Sequence, residues 1–290
     1  MSPGSSTPAF PPGPAPSPVL VDPHVHIYPC FRLEGFLDGA IRNLERSAGR
    51  LDPLRRARFA LCLTEGAGHR AFDRLLRQEG SRDGSRWEFR PTGEAISLLA
   101  RRDDGRELWL VAGRQIETRE RLEVSALCCT GEVPDGLSLD ETVERARTLD
   151  AVVGIPWGFG KWWFGRGRVL RSYLAGPAAA GLFLGDNSGR PRLAREPRLL
   201  AVGRRRGLPI LPGSDPLPLP AQEGNAGRYG FVLPDRLDPL RPGSDLRNRL
   251  RRMVGQPEVF GRRESLLGFL RSQSALQLRR FRRGHPGADR

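Results

Sequence analysis

Two histidines stand two residues apart in VDPHVHIYPC, Val21 to Cys30. In extended backbone the side chains of His24 and His26 leave the strand on one face, with Cα atoms about 6.6 Å apart, a spacing that lets two imidazoles share one cation. The same spacing also suits an ordinary strand that carries two polar residues on a wet face. A second constellation lies in GIPWGFGKWWFGRGR, which holds three of the five Trp residues, Trp157, Trp162 and Trp163, together with the only Lys of the chain, Lys161. Its glycines permit close backbone approach and positive φ, so the segment from Trp157 to Arg166 reads as a shaped loop after a strand. As a lid, the loop would bring Lys161 and Arg166 to an anionic substrate. The alternative packs the indoles beneath the loop as a small separate core. A third group, GDNSGRP, offers Asp186, Asn187 and Arg190 at another strand end. Arg190 can clamp a phosphate or carboxylate through two N–H groups, or pair with a neighbouring acid. Asp and Asn are equally at home in a plain turn.

The elements that must position these groups alternate along the chain. MSPGSSTPAFPPGPAPSP, residues 1–18, is a Pro, Ser and Gly tract expected to be a disordered or extended leader. Folding starts near Val19. Phe36, Leu37, Ala40, Ile41, Leu44 and Ala48 recur at helical spacing, and RFALCLTE, Arg58 to Glu65, reads as a buried strand. Two apolar runs around Asp104 and Gly105 form a hairpin signature. Ser138 followed by Glu141 is a capping box that opens a helix carrying Val143, Ala146 and Leu149. AVVGIPWG, GLFLGDN and Leu208–Leu211 read as strands that each end in a polar turn, with a helix before the last stopped at Gly207. This alternation predicts parallel strands with helical crossovers, one α/β domain over residues 19–243, with polar groups gathered at the carboxyl ends of the strands. Leucines at helical spacing predict helices over 244–254 and 264–283, within a C-terminal extension 244–290 that ends in a basic tail.

The formal net charge is +14, but 46 of the 47 basic residues are Arg and acids interleave with them through most of the chain. That pattern reads as base composition and a mixed solvated surface, so nucleic acid is not the expected partner. Cys30, Cys62, Cys128 and Cys129 show no C-x-x-C spacing and are expected as reduced, mostly buried thiols. No apolar run approaches the ~18 residues of a membrane span, and no signal-peptide pattern opens the chain, so a cytoplasmic protein is expected.

Taken in order, the strand ends resemble the PHP family, the polymerase and histidinol phosphatase domain. VDPHVHIYPCF is similar to the family's opening D-x-H-x-H, and LDGAIRNL to its first helix. ALCLTEGAG falls where the family carries T-D-H, which puts Glu65 at the Asp and Gly66 at the His. In AGRQIETRERLEVSAL, Gln115 takes the Glu position of G-x-E and Glu123 that of the following His. VVGIPWG keeps the Pro of a His-Pro strand end, Pro156, without the His. LPGSDPLPL resembles G-S-D-x-H, with Asp215 kept and Leu217 at the His.

The resemblance implies a PHP-like distorted (β/α)7 barrel as a single domain. It also implies a reduced ligand set, His24, His26, Glu65, Gln115, Glu123 and Asp215, for one divalent ion of zinc, manganese or iron type. Lys161, Arg166 and Arg190 would then steady the oxyanions of a small anionic substrate such as a phosphate ester, making the chain a metal-dependent phosphoesterase. The alternative is a catalytically inactive binding protein on the same fold that has lost part of its metal site. Each further ligand also has a plain structural role: Glu65 at a helix N-terminus, Asp215 in a turn, and Gln115 and Glu123 on a solvated strand.

Overall fold

A computed structural model describes residues 17–52, 56–78, 80–81 and 84–284; residues 1–16 of the expected leader and the last six residues of the basic tail lie outside them. The chain runs β1 (Val19–Val25), α1 (Leu33–Leu51), β2 (Arg58–Glu65), α2 (Ala71–Leu76) and then the short strands β3 (Gly80–Ser81), β4 (Trp87–Pro91) and β5 (Ser97–Arg102). After these come β6 (Glu107–Glu117), β7 (Glu123–Leu127), α3 (Leu139–Thr148), β8 (Val152–Pro156), α4 (Phe164–Ala175), β9 (Phe183–Asn187), α5 (Arg198–Arg205) and β10 (Ile210–Gly213). The chain closes with β11 (Tyr229–Leu233), α6 (Pro242–Arg251), β12 (Glu258–Gly261) and α7 (Leu266–Gly284). Ser138 caps α3 as its sequence requires, with the Glu141 carboxylate returning to the Ser138 N–H. The sheet extends past residue 243, because β12 pairs with β11. No helix among the described residues is long and apolar enough to cross a membrane.

The strands form one sheet in the order β10, β9, β8, β7, β6, β2, β1, β11, β12, with β5, β4 and β3 branching from β6. β6 serves two neighbours on one edge: Glu107–Val111 pairs with β5 and Gly113–Glu117 with β7. The far end of the sheet returns to β1. Asp215 N–H donates to the His24 carbonyl at 2.9 Å and Ser214 N–H to Asp22 Oδ1 at 2.9 Å. The result is a nearly closed, barrel-shaped sheet. The all-parallel arrangement expected from the alternation is corrected at β7 and β11, which run against their neighbours. β7 must reverse, because only Thr118–Leu122 separates it from β6 and a parallel crossover needs a dozen or so residues.

Apolar residues sort onto two faces. Leu20, Leu61, Leu63 and Leu110 pack outward under α1, α2 and the β4–β5 hairpin, with Phe36, Ile41, Phe72 and Trp87 fully or almost fully buried among them. Val124, Ala126, Ile155 and Leu184 face outward under α3, α4 and α5. Val19, Val21, Ala60, Cys62, Val111, Leu127, Val152, Phe183 and Leu211 fill the inside, joined by Leu246 and Leu250 of α6. The inward set is small where strands crowd: a Cβ on Gly154 would stand 2.4 Å from the Phe183 ring, and one on Gly185 2.9 Å from Pro156 Cα. This apolar interior plugs the barrel below the carboxyl ends of the strands and leaves the polar positions above it.

Candidate metal centre

Strict alternation along β1 would send His24 outward, on the opposite face from Val19 and Val21. A register shift prevents this. Asp22 pairs with Leu61 and Val25 with Leu63, so three steps on β1 match two on β2. The extra residue reverses the alternation, as a β-bulge does. Val25 then packs outward with Leu20, and His24 and His26 turn inward. Pro23, which has no N–H to give to a ladder, sits within the shift.

Above the apolar plug His24 Nε2 and His26 Nε2 lie 3.0 Å apart, and Asp215 Oδ1 stands 3.5 and 3.3 Å from them. Both imidazoles are buried, at 6% and 5% exposure. Asp215 follows β10 in the left-handed region, φ 44°. Its other oxygen accepts a hydrogen bond from Asn187 Nδ2 at 2.6 Å, and the same amide donates to the Trp157 carbonyl at 2.5 Å. Beneath them Asp22 accepts from Ser214, Gly227 and His24 backbone N–H groups at 2.9, 2.8 and 3.3 Å, tying the loops after β10 and before β11 to β1. Burial lifts the Asp22 carboxyl to about 7 against those hydrogen bonds. Burial likewise lowers His24 to about 4, opposed by Asp215 and aided by His26, so its imidazole is neutral at neutral pH. Burial also pushes Asp215 upward, but the two imidazoles and Lys161 more than offset this and hold it below the usual range.

A divalent ion fits this donor set. Donors about 2.1 Å from one ion stand roughly 3.0–3.4 Å apart at angles between square and tetrahedral, close to the spacings found here. Gln115 Oε1 and Asn187 Oδ1 are buried polar atoms without a partner among the described residues. Two imidazoles, a carboxylate and an amide oxygen suit zinc, manganese or iron.

The two faces of the strands decide which of the expected residues join this group. Gln115 shares the inward face of β6 with Val111, and Glu123 that of β7 with Leu127. Gln115 lines a cavity of about 90 Å³ with His26, Tyr28, Glu65 and His69. Glu123 is held at the rim by Lys161 Nζ at 2.9 Å, with Glu117 at 3.7 Å.

Glu65 follows Leu61 and Leu63 on the outward face of β2, and its carboxylate caps α2. It accepts from Ala71 N–H at 2.5 Å and Phe72 N–H at 3.3 Å, and Arg114 Nη1 lies 3.3 Å away. It stands outside the converging trio of His24, His26 and Asp215. Asp186 likewise shares the outward face of β9 with Leu184. Arg190 chelates it through Nε and Nη2 at 2.7 and 2.8 Å, and Tyr229 O–H donates to it at 3.1 Å. Arg166 lies in the first turn of α4 and donates to the Gly160 carbonyl at 2.8 Å, so the expected loop ends at Trp163. Of the three expected cations, only Lys161 borders the centre.

His69 and Tyr28 were not expected at the site. Their rings meet edge to face at 5.7 Å beside His26. The available signal was the scarcity of histidine, four in the chain, and the position of His69 three residues beyond Gly66.

No family model matches the chain, and no curated protein resembles it in sequence. Among solved structures, the crystal structure of PsfC from Pseudomonas syringae PB-5123 is 14% identical, covers 90% of this chain and 99% of its own, and superposes with a TM-score of 0.52. The lesion-specific endonuclease PfuEndoQ from Pyrococcus furiosus is 14% identical over 83% of this chain and 57% of its own, at a TM-score of 0.49. An Endonuclease Q complex with a 27-mer duplex bearing an abasic lesion is 13% identical, at 0.46. At these identities the likeness is one of fold, and PsfC, a PHP-fold protein aligned over nearly its whole length, carries it: the barrel of this chain is PHP-like.

Proposed function

We propose that the chain is a metal-dependent hydrolase of phosphate esters, with one zinc, manganese or iron ion held by His24, His26 and Asp215 and by the Gln115 amide oxygen. The observation that carries this reading is the convergence of two buried imidazole nitrogens and one carboxylate oxygen within hydrogen-bonding distance of each other. Such an ion supplies a Lewis acid and an acidified water in a site closed below by apolar side chains. Asn187 orients Asp215, and Asp22 fixes the backbone on which His24 and Asp215 are mounted. Lys161, at the rim with Glu123, is placed to meet an anionic substrate.

A binding protein without turnover is the second reading. It is favoured by the commitment of Glu65 to α2 and of Glu123 to Lys161, which leaves few charged donors for a second ion.

Elemental analysis of protein purified without chelator, together with hydrolysis of p-nitrophenyl phosphate and its bis-ester, separates the two. One ion per chain and turnover, both lost in His24→Ala and Asp215→Asn, is expected for the hydrolase. Bound metal without turnover selects the binding protein, and equal metal content in wild type and both variants overturns the centre itself.

A further inference from the structure

A groove of about 470 Å³ opens beside the centre, between the loop after β8, α4 and the start of α5. Its walls include Phe159, Trp162 and Trp163, and its lining holds no carboxylate. Phe159 stacks edge to face on Trp163 at 4.9 Å and on Phe269 at 5.0 Å, yet Phe159 and Trp163 keep about half their surface in solvent, at 49% and 47%. Trp162 is buried, and its Nε1 has no hydrogen-bond partner among the described residues.

Arg168 and Arg171 of α4 and Arg195 and Arg198 at α5 border the same groove. None of these four side chains makes a hydrogen bond or ion pair among the described residues, whereas arginines such as Arg86, Arg102, Arg106 and Arg249 are held by carboxylates. Unneutralised guanidinium groups therefore gather where flat rings are exposed. The groove also continues toward the His24 centre: Trp157, Phe159 and Phe269 line both it and a smaller cavity that reaches Asp215.

We propose that this groove binds a single strand of nucleic acid, with bases stacked on the exposed rings and phosphates on the four free arginines. Successive bases on aromatic faces above a cationic track are what single-strand binding requires. Four cations without a carboxylate exceed what one small phosphate ester needs. The rings line a concave channel, whereas a membrane would call for rings on a protruding tip. The overall charge had pointed away from nucleic acid because most arginines alternate with acids along the sequence; where α4 and α5 meet, the fold brings four of them together without an acid and beside exposed rings. Binding in the groove does not depend on the His24 centre being catalytic, so the two readings stand or fall apart.

The test is fluorescence anisotropy of a labelled oligothymidylate with the full chain across a salt series. Affinity is expected to fall with salt by a log–log slope of roughly −0.7 per phosphate engaged. Replacing Arg168 and Arg171 together by Ala should make that slope shallower by roughly 1.4. Trp163→Ala should weaken binding about tenfold with the slope kept, and its unchanged melting would show that the fold survives. His24→Ala should bind the strand as wild type does, whatever becomes of hydrolysis.

Unaltered binding in the groove variants, with loss on replacing Arg279, Arg280, Arg282 and Arg283, would move the interaction to the tail and overturn the proposal. So would equal affinity for a duplex of the same length or for thymidine monophosphate. Binding to phosphatidylglycerol vesicles with none to the oligonucleotide would overturn it in favour of a lipid surface.

Discussion

Gly213→Ala tests whether the closure of the barrel holds the site together. A Cβ on Gly213 would stand 2.5 Å from His24 Cβ, 3.2 Å from its N and 3.4 Å from its Cα. Carbon atoms rest about 3.5–4.0 Å apart, so β10 and β1 must separate by about 1 Å, and no rotamer can absorb the clash because both partners sit at the backbone. Forcing a methyl into such a contact costs about 1–3 kcal/mol. The separation also stretches two 2.9 Å hydrogen bonds, Asp215 N–H to the His24 carbonyl and Ser214 N–H to Asp22. At about 1 kcal/mol each, these bring the loss to about 3–5 kcal/mol. At roughly 2–4 °C per kcal/mol for a chain of this size, melting should fall by about 6–20 °C.

The same displacement carries Asp215 away from the imidazoles, so the variant should also lose the zinc-induced rise in melting temperature expected of wild type. Gly189→Ala is the control, since a Cβ there meets nothing within 4 Å. Differential scanning calorimetry with and without added zinc reads both effects. If Gly213→Ala melts with wild type and keeps its response to zinc, the argument from closure fails.

Asp22→Ala should cost about 3 kcal/mol or more, because three buried N–H groups lose their acceptor at about 1–3 kcal/mol each; urea denaturation measures it, and a loss below about 1 kcal/mol would contradict the role given to Asp22. Arg190→Ala should destabilise by about 3–5 kcal/mol by stranding the buried Asp186 carboxylate, while bound metal per folded chain stays constant. Preserved stability with lost hydrolysis would instead place Arg190 on the substrate. In native protein at mildly alkaline pH only half-buried Cys30 should react with a disulfide reagent: Cys62, Cys128 and Cys129 are buried, and burial pushes the Cys129 thiol up to about 12. Reaction of two or more thiols before unfolding would count against the burial described.

Much of the scaffold was readable because its signals are local. The strand Arg58–Glu65 and the Ser138 capping box depend on residues within a few positions of each other, and both are found as read. Partnership between strands is not local, and the reversal of β7 became visible only through the shortness of the link before it. The helix from Phe164 was masked by Gly165 and Gly167, although Leu170, Tyr173 and Leu174 beyond them have helical spacing and pack inward. Part of the inner face was also present in the letters: Ala60, Cys62, Gly113, Ser125, Gly154, Gly185 and Gly213 are small where the strands crowd, whereas Leu61, Leu63, Val124, Ile155 and Leu184 beside them face the helices. Read that way, Gln115, Glu123 and Asn187 fall on the inner face, and Glu65, Arg114 and Asp186 outside it. The resemblance put Glu65, and its place at a strand end put Arg190, near the histidines, because neither signal says which way a carboxylate or guanidinium points.

The unmatched residue in β1 makes the site as sensitive to counting as to chemistry. A substitution at Pro23 changes one side chain, but a slip that took the extra residue into the pairing, with His24 then opposite Leu63, would rotate both imidazoles toward α1, with every donor still present in the chain. Loss of the centre by that route would be all or none. It would also leave no gap in the composition: a homologue carrying both histidines but pairing β1 with β2 without the bulge would look intact in its letters and hold its imidazoles in the helix-covered core.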